Sequence, residues 1–125
     1  MFWLRWSVAQ CGLAVVFGAF AAHWLKSSLS AYELQVFEKA VRYQFFHGLA
    51  MIAVVLIIKQ YALQLNKVLS CFGLGSIAFC GSLYCYTLFK IKIFVFITPF
   101  GGVLWTIGWL LLFLKLKKVK GNTYT

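Results

Sequence analysis

Acidic residues are almost absent from this chain. It contains no Asp, and its two carboxylates, Glu33 and Glu38, both lie in the polar segment after the first apolar run. A mechanism that uses paired carboxylates inside an apolar site is therefore excluded. The sequence also lacks a nucleophile elbow, an HExxH zinc motif, a phosphate-binding loop and a dinucleotide fingerprint. It predicts no catalytic residue, no metal site and no enzyme.

Charged residues of both signs are scarce. They make up 11% of the 125 residues, whereas hydrophobic residues make up 63%, and soluble domains are about one quarter charged. A chain this short cannot bury so much apolar surface in a core of its own. The composition therefore predicts a single transmembrane domain over residues 1–125, with the lipid bilayer as its solvent.

The basic residues lie at the borders of the apolar runs. The net charge of +10 would suit nucleic acid, but nucleic-acid binders gather their basic residues on one face. A basic tail at 115–125 holds four lysines: Lys115, Lys117, Lys118 and Lys120. We expect this tail to contact anionic lipid headgroups, and we expect no nucleic-acid partner.

Four apolar runs predict the architecture. They span about 6–25, 43–58, 68–89 and 93–114, and three of them are long enough to cross a hydrocarbon core of about 30 Å. The second run is shorter and spans if Arg42 and Lys59 snorkel toward the interface. Since the loops are short, neighbouring helices run antiparallel. The prediction is an all-α membrane protein with four transmembrane helices in an antiparallel bundle.

A helix start precedes the second run. Ser30 and Glu33 form a capping box, S-x-x-E, and apolar residues then recur at helical spacing at Leu34, Phe37, Val41 and Phe45. This pattern predicts a short amphipathic interfacial extension before the second span. The alternative is a polar loop.

Orientation follows weakly from the basic residues. With four spans, both termini lie on one side together with Arg5, Lys59, Lys67 and the tail lysines, seven basic residues in all. The opposite side holds five: Lys26, Lys39, Arg42, Lys90 and Lys92. The positive-inside rule then favours cytoplasmic termini.

The first run has a second interpretation. Ala19-Phe20-Ala21 has the A-x-A form of a signal-peptidase site. However, Trp6 and Trp24 lie at the two ends of the run, about 27 Å apart along a helix, and aromatic residues at both borders are typical of a retained spanning helix. We expect the first span to be retained.

Small residues mark the predicted helix contacts, since membrane helices associate where small side chains allow close approach. One interpretation is that these small residues pack within a single bundle; the other is that the small residues of one helix face a second subunit. The predicted packing residues are Ala14, Gly18, Ala22, Gly75, Ala78, Ser82, Gly101, Gly102 and Gly108. Thr98 and Pro99 predict a helix start or a kink in the fourth span.

Polar residues inside the spans form the predicted site. His23 ends the first span, and His47 follows Tyr43 and Gln44 by four and three residues on the second, so these three side chains can share one helix face. Antiparallel spans joined by one loop would bring the two histidines to a similar depth. Three roles stay open: a polar clasp between helices, a metal or haem ligand, and proton or ion handling.

Four segments together resemble the YgdD-like family of small membrane proteins of unknown function, which has bacterial inner-membrane members and a mitochondrial relative in animals. They are GAFAAHWLK (18–26), VRYQFFHGLAM (41–51), CGSLYCYTL (80–88) and ITPFGGVLWTIGWLL (97–111), so the resemblance covers about residues 6–114. The positions that match the family motifs are Gly18, Ala19, Phe20, Ala22, His23, Tyr43, His47, Gly81, Ser82, Leu83, Tyr84, Thr98, Pro99, Gly101, Gly102, Gly108 and Trp109. Ala21, Gly48 and Cys80 depart from the family by small-for-small changes.

The resemblance implies a bacterial inner-membrane protein and brings no known reaction or ligand. Our leading hypothesis is a structural or accessory membrane subunit with a membrane-protein partner or a second copy of itself. The alternative is a minimal transporter or channel for protons or metal ions that uses His23 and His47. A weaker alternative is a bis-histidine haem or quinone site, although no cofactor is predicted.

Overall fold

Four apolar helical stretches cross the molecule in the computed structural model, which describes residues 1–119. Of the predicted basic tail, Lys115 and Lys117 lie in the last turn of the fourth span, whereas residues 120–125, which include Lys120, lie outside the described residues. The helices are α1 (Phe2–His23), α2 (Ala31–Tyr61), α3 (Asn66–Ser76), α4 (Ser82–Phe89) and α5 (Thr98–Lys117). No strand occurs within residues 1–119, and each of the four stretches is long and apolar enough to cross a membrane. The all-α, four-span fold class is confirmed.

Helix α2 begins at the predicted capping box. The Ser30 hydroxyl accepts a hydrogen bond from the Glu33 amide at 3.1 Å, and the Glu33 carboxylate accepts one from the Ser30 amide at 3.1 Å. The helix then continues unbroken for 31 residues, about 46 Å. The amphipathic segment is therefore a collinear extension of the second span.

The third span, Asn66–Phe89, contains a π-helical segment that sequence patterns did not predict. Residues Ile77–Gly81 join α3 to α4 with π geometry, and such wide turns often occur at functional sites. The Cys80 thiol donates to the Ala40 carbonyl of α2 at 3.2 Å, and the Ser82 hydroxyl donates to the Phe79 carbonyl at 2.9 Å. The π-helical segment thus packs against both α2 and α5.

Helix α5 packs on the third span through glycines. A Cβ atom at Gly101 would overlap the backbone nitrogen of Phe79 and lie 2.8 Å from the Gly75 carbonyl oxygen. At Gly108 it would lie 2.7 Å from the Phe72 ring. These two positions need glycine because backbone and ring atoms of the neighbouring span occupy the space of a side chain.

The predicted small residues do not all face a neighbouring helix. Gly75, Ser82, Gly101 and Gly108 are buried, and Ala78 and Gly102 are half-buried. On α1, Ala14 is buried and Gly18 lies beside Val41, but Ala22 is exposed and Ala21 is buried in its place. Ala22 does not pack within the bundle, because steps of four residues drift away from the 3.6-residue turn and a three-residue step restores the buried face; a contact of Ala22 with a second subunit stays a prediction.

The fourth span begins with a 3₁₀ helix, Lys92–Phe96, and becomes α-helical at Thr98. Pro99 lies in the first turn of α5, where a missing amide hydrogen costs nothing. The Thr98 hydroxyl lies 2.6 Å from the Ser82 hydroxyl, and because Ser82 donates to the Phe79 carbonyl, Thr98 is the donor of this hydrogen bond. Thr98 and Pro99 therefore mark a helix start.

One ion pair places two of the interhelical connections at the same end of the bundle. Lys90 ends α4 in the left-handed conformation, with φ of 59°, and its ammonium group pairs with the Glu33 carboxylate in the first turn of α2. The first and third connections consequently lie on the same side of the bundle. Lys67 marks the other end of the third span, about 34 Å from Lys90 along the helix.

Candidate functional site

His47 lies on the second span, and its buried side chain faces the fourth span. Its side chain is 6% exposed. Its Nδ1 lies 3.0 Å from the Tyr43 carbonyl oxygen, and the Trp109 indole donates to Nε2 at 3.1 Å. Because an indole N–H can only donate, Nε2 is the acceptor and Nδ1 carries the hydrogen. Both ring nitrogens are therefore used, which is the arrangement of a neutral imidazole.

Aromatic rings hold the imidazole in place. The His47 ring stacks on Trp105 with centroids 3.8 Å apart and an interplanar angle of 5°. The Phe72 ring meets the His47 ring edge-on, with centroids 5.5 Å apart. The Trp105 indole donates to the Phe72 carbonyl at 3.2 Å. Tyr43 stacks on the same indole at 5.8 Å. These residues form an aromatic cluster that joins α2, α3 and α5.

The geometry of this cluster is that of the polar clasp predicted as one of three roles. A histidine whose two nitrogens are both hydrogen-bonded offers no free lone pair to a metal ion or to haem. Within residues 1–119, no group of three His, Cys, Asp or Glu side chains comes close enough together to hold a metal ion. Chemistry at His47 would first require loss of the Trp109 hydrogen bond.

His23 does not join His47, and the prediction of similar depth is wrong. His23 is exposed at the end of α1 and its ring contacts Trp24. Because α2 begins at Ala31, twelve of its residues precede Tyr43, and His47 lies deep in the bundle, where its neighbour Gly48 packs against Cys11. About 18 Å of helix separates Cys11 from His23.

Gln44 belongs to a second polar group on another side of α2. Its amide nitrogen donates to the Gln10 carbonyl of α1 at 3.1 Å, and its amide oxygen accepts from the Tyr84 hydroxyl of α4 at 2.6 Å. The prediction that Gln44 shares a face with Tyr43 and His47 is therefore only partly right. Residues three apart differ by about 60° around the helix, and here that difference separates two neighbours, α5 and α1.

A groove opens to the lipid side between α1 and the third span. We call it the lateral groove; its volume is about 210 Å³. Helix α1 packs along α2 and meets the third span through Trp3 and Trp6 at Gly73 and through Phe17 at Tyr84. Leu13 and Ile77 at the groove are half exposed. Its lining residues are Trp6, Gln10, Leu13, Phe17, Gln44, Ser76, Ile77, Cys80, Gly81 and Tyr84.

Two buried polar atoms at the lateral groove lack partners. Within residues 1–119, the Trp6 indole nitrogen and the Gln10 side-chain oxygen make no hydrogen bond. The Gln10 amide nitrogen meets only the Met51 sulfur, at 3.3 Å, and a thioether is a weak acceptor. Unpaired buried groups are rare and costly, especially in lipid, so this groove is the second candidate site.

Sequence reasoning missed four of these residues. Trp105 and Trp109 are four apart in an apolar run, which indicates a shared helix face but does not name His47 as its partner. Gln10 interrupts the first apolar run and Gln44 the second, and two amides in adjacent spans are the signal that could have revealed their contact. Tyr84 and Trp109 match family motifs, but that match assigned neither residue a contact.

Comparisons with known proteins agree with this architecture. The family model described as "Protein of unknown function (DUF423)" matches residues 17–102. A UPF0382 membrane protein of Staphylococcus saprophyticus is 45% identical over 100 residues, which are 80% of this chain and 83% of that protein. A UPF0382 membrane protein of Staphylococcus aureus is 41% identical over 109 residues, covering 87% of this chain and 89% of that protein.

A third UPF0382 membrane protein, from Staphylococcus haemolyticus, is 40% identical over 109 residues, with the same coverage of 87% and 89%. No solved structure matches the chain. The resemblance to a small membrane-protein family of unknown function is confirmed, and so is location in a membrane. With the family model matching more than half of its length, this multi-pass membrane protein belongs to the DUF423 family.

Proposed function

We propose that this chain is a structural or accessory subunit of a bacterial inner membrane that receives a transmembrane helix of a partner protein in the lateral groove. The observation that carries the proposal is the pair of unpaired buried atoms, Trp6 Nε1 and Gln10 Oε1, behind an open lipid-facing groove. A lipid tail cannot satisfy either atom, whereas a hydroxyl or amide side chain of another helix can satisfy both.

The rim of the lateral groove suits a close helix contact. Gly81 has no atom within 4 Å of the position where a Cβ would lie, so a neighbouring backbone can approach it closely. Because Gln10 lines the groove, rotation of its side-chain amide would present Oε1 to an incoming donor. The expected partner helix carries small residues and one Ser, Thr, Asn or Gln at the depth of Gln10. A second copy of this chain is the other occupant we considered.

Ion transport and haem binding lose their geometric support. Both hypotheses require His23 and His47 to cooperate, yet His23 is exposed at one end of α1 while His47 is enclosed by aromatic rings deep in the bundle. We therefore propose no pathway or ligand site that uses the two histidines.

We further propose that both termini face the cytoplasm. The side that holds the termini carries seven of the twelve basic residues, against five on the side of the Glu33–Lys90 pair. This difference supports the positive-inside orientation, and the tail lysines would then contact anionic lipids of the inner leaflet. A cysteine introduced at Lys118 should react with a membrane-impermeant maleimide only in inverted vesicles.

Site-specific photo-crosslinking tests the proposed subunit role. A photoreactive residue replaces Leu13 or Ile77 at the lateral groove, or Phe113, which is exposed on α5 away from it. In native membranes, the two groove positions should form a discrete adduct with one other membrane protein, and Phe113 should not. Lipid adducts alone at all three positions would contradict the proposal.

A further inference from the structure

Arg42 is exposed on α2 at a depth where charges are rare. Among residues 1–119, the only ion pair joins Lys90 to Glu33, so Arg42 has no carboxylate partner there. Helix α2 is longer than the hydrocarbon core, and Arg42 lies about 26 Å along it from Lys59, which marks the opposite border. In a core of about 30 Å, Arg42 therefore begins just inside the apolar layer on the side of the Glu33–Lys90 pair.

An arginine in that layer needs a counter-charge or a path to the interface. Charged residues within spans rarely face lipid without a partner. The Arg42 side chain can snorkel toward Lys39, which is one turn closer to the border on the same side of α2 and also exposed. The Arg42 guanidinium and the Lys39 ammonium group then lie together near the interface.

A groove runs from this place toward the bilayer centre. It lies between α1 and α2, has a volume of about 320 Å³, and is lined by Ala14, Val15, Gly18, Val41, Phe45 and Phe46 together with Arg42. We call it the Arg42 groove. Gly18 lies beside Val41 at the charged end, while Phe45 and Phe46 line the apolar part below. The groove therefore has one cationic end and one apolar end.

We propose that Arg42 and Lys39 bind the phosphate of an anionic phospholipid whose acyl chain lies in the Arg42 groove. The guanidinium fork matches two phosphate oxygens, and the ammonium group supplies a further charge. The polar end lies nearer the interface and the apolar end nearer the bilayer centre, which is the orientation of a lipid in that leaflet. This site is distinct from the basic tail and from the lateral groove.

Native mass spectrometry of the full chain tests this site. The protein is reconstituted in vesicles of equal phosphatidylglycerol and phosphatidylcholine and then extracted in mild detergent. We expect the wild type to retain one phosphatidylglycerol preferentially. Arg42→Gln should weaken retention about tenfold, as expected for loss of a charge-assisted hydrogen bond, and Lys39→Gln about fivefold. Arg5→Gln, which removes another exposed arginine, is the matched control.

A second pair of variants tests whether the acyl chain lies in the Arg42 groove, with all charges intact. Gly18→Leu fills the Arg42 groove, whereas Gly12→Leu adds the same side chain to an open surface of α1 with no atom within 4 Å. Only Gly18→Leu should reduce lipid retention. Equal retention by Arg42→Gln and wild type, or equal retention of both lipids, would overturn the proposal. A lipid-free dimer that Arg42→Gln dissociates would also overturn it, in favour of contact with the Glu38 carboxylate of a second copy.

Discussion

The two sides of the bundle treat their polar groups differently. In the packed side, formed by α2, the third span and α5, both nitrogens of His47 are hydrogen-bonded and Gly101 of α5 contacts backbone directly. On the α1 side, the Trp6 indole and the Gln10 oxygen are buried without partners beside an open groove. Under the proposed function, the packed side maintains the fold, whereas the α1 side leaves two buried polar atoms for a partner helix to pair with.

The largest effect on stability is expected in the packed side, at Gly101 of α5. Gly101→Ala should destabilise the fold by about 3 kcal/mol or more, because its Cβ would overlap backbone atoms that cannot move aside. Gly102→Ala is the matched control, since its Cβ would lie 4.0 Å from the Phe79 ring. It should leave stability unchanged or raise it by less than about 1 kcal/mol. Unfolding titrations in mixed micelles measure both; similar losses would contradict this packing.

A smaller effect is expected at the aromatic cluster. His47→Leu should cost about 2 kcal/mol, because it removes hydrogen bonds of about 0.6 kcal/mol each within the membrane and a stacking contact of about 1 kcal/mol. His23→Leu, which removes an exposed imidazole, should change stability by less than about 0.5 kcal/mol. If the two variants are equally destabilised in the same titration, the assignment of His47 as a clasp fails.

The two glutamines at the lateral groove sharpen the comparison further, since the Gln44 amide is hydrogen-bonded at both ends whereas the Gln10 side-chain oxygen has no partner. Gln44→Leu should cost about 1 kcal/mol because the Tyr84 hydroxyl loses its acceptor. Gln10→Leu should cost less than about 0.5 kcal/mol, because its side-chain oxygen has no partner and its backbone carbonyl still accepts from α2. A larger loss for Gln10→Leu than for Gln44→Leu would mean that Gln10 supports the fold itself.

The smallest effect is expected at the border ion pair. Glu33→Gln keeps the capping box, since glutamine can accept the same hydrogen bond, and removes only the charge paired with Lys90. Exposed ion pairs contribute little to global stability, so the change should be confined to faster amide exchange near Ser30. Glu38→Gln serves as the control, and a global loss like that of His47→Leu would refute this ranking.

Much of the fold could be predicted from local signals. The capping box at Ser30 and Glu33 places the start of α2, and apolar length alone predicts the four spans. The same capping box implies that His47 lies about 24 Å along α2, but the predicted site took its depth from the apolar run at Tyr43 and so placed His47 too near the interface. The π-helical segment at Ile77–Gly81 depends on contacts between spans, and no local pattern marks it.

The most direct test of the proposed subunit role compares wild type with Gly81→Leu after gentle purification from native membranes. Leucine at Gly81 fills the lateral groove in space that is now empty, and Gly12→Leu places the same side chain on an open surface of α1 outside that groove. We predict that one membrane protein co-purifies in constant ratio with wild type and Gly12→Leu and is lost from Gly81→Leu. The same protein bound equally by all three, or a monomer without a partner in wild type, would contradict the account.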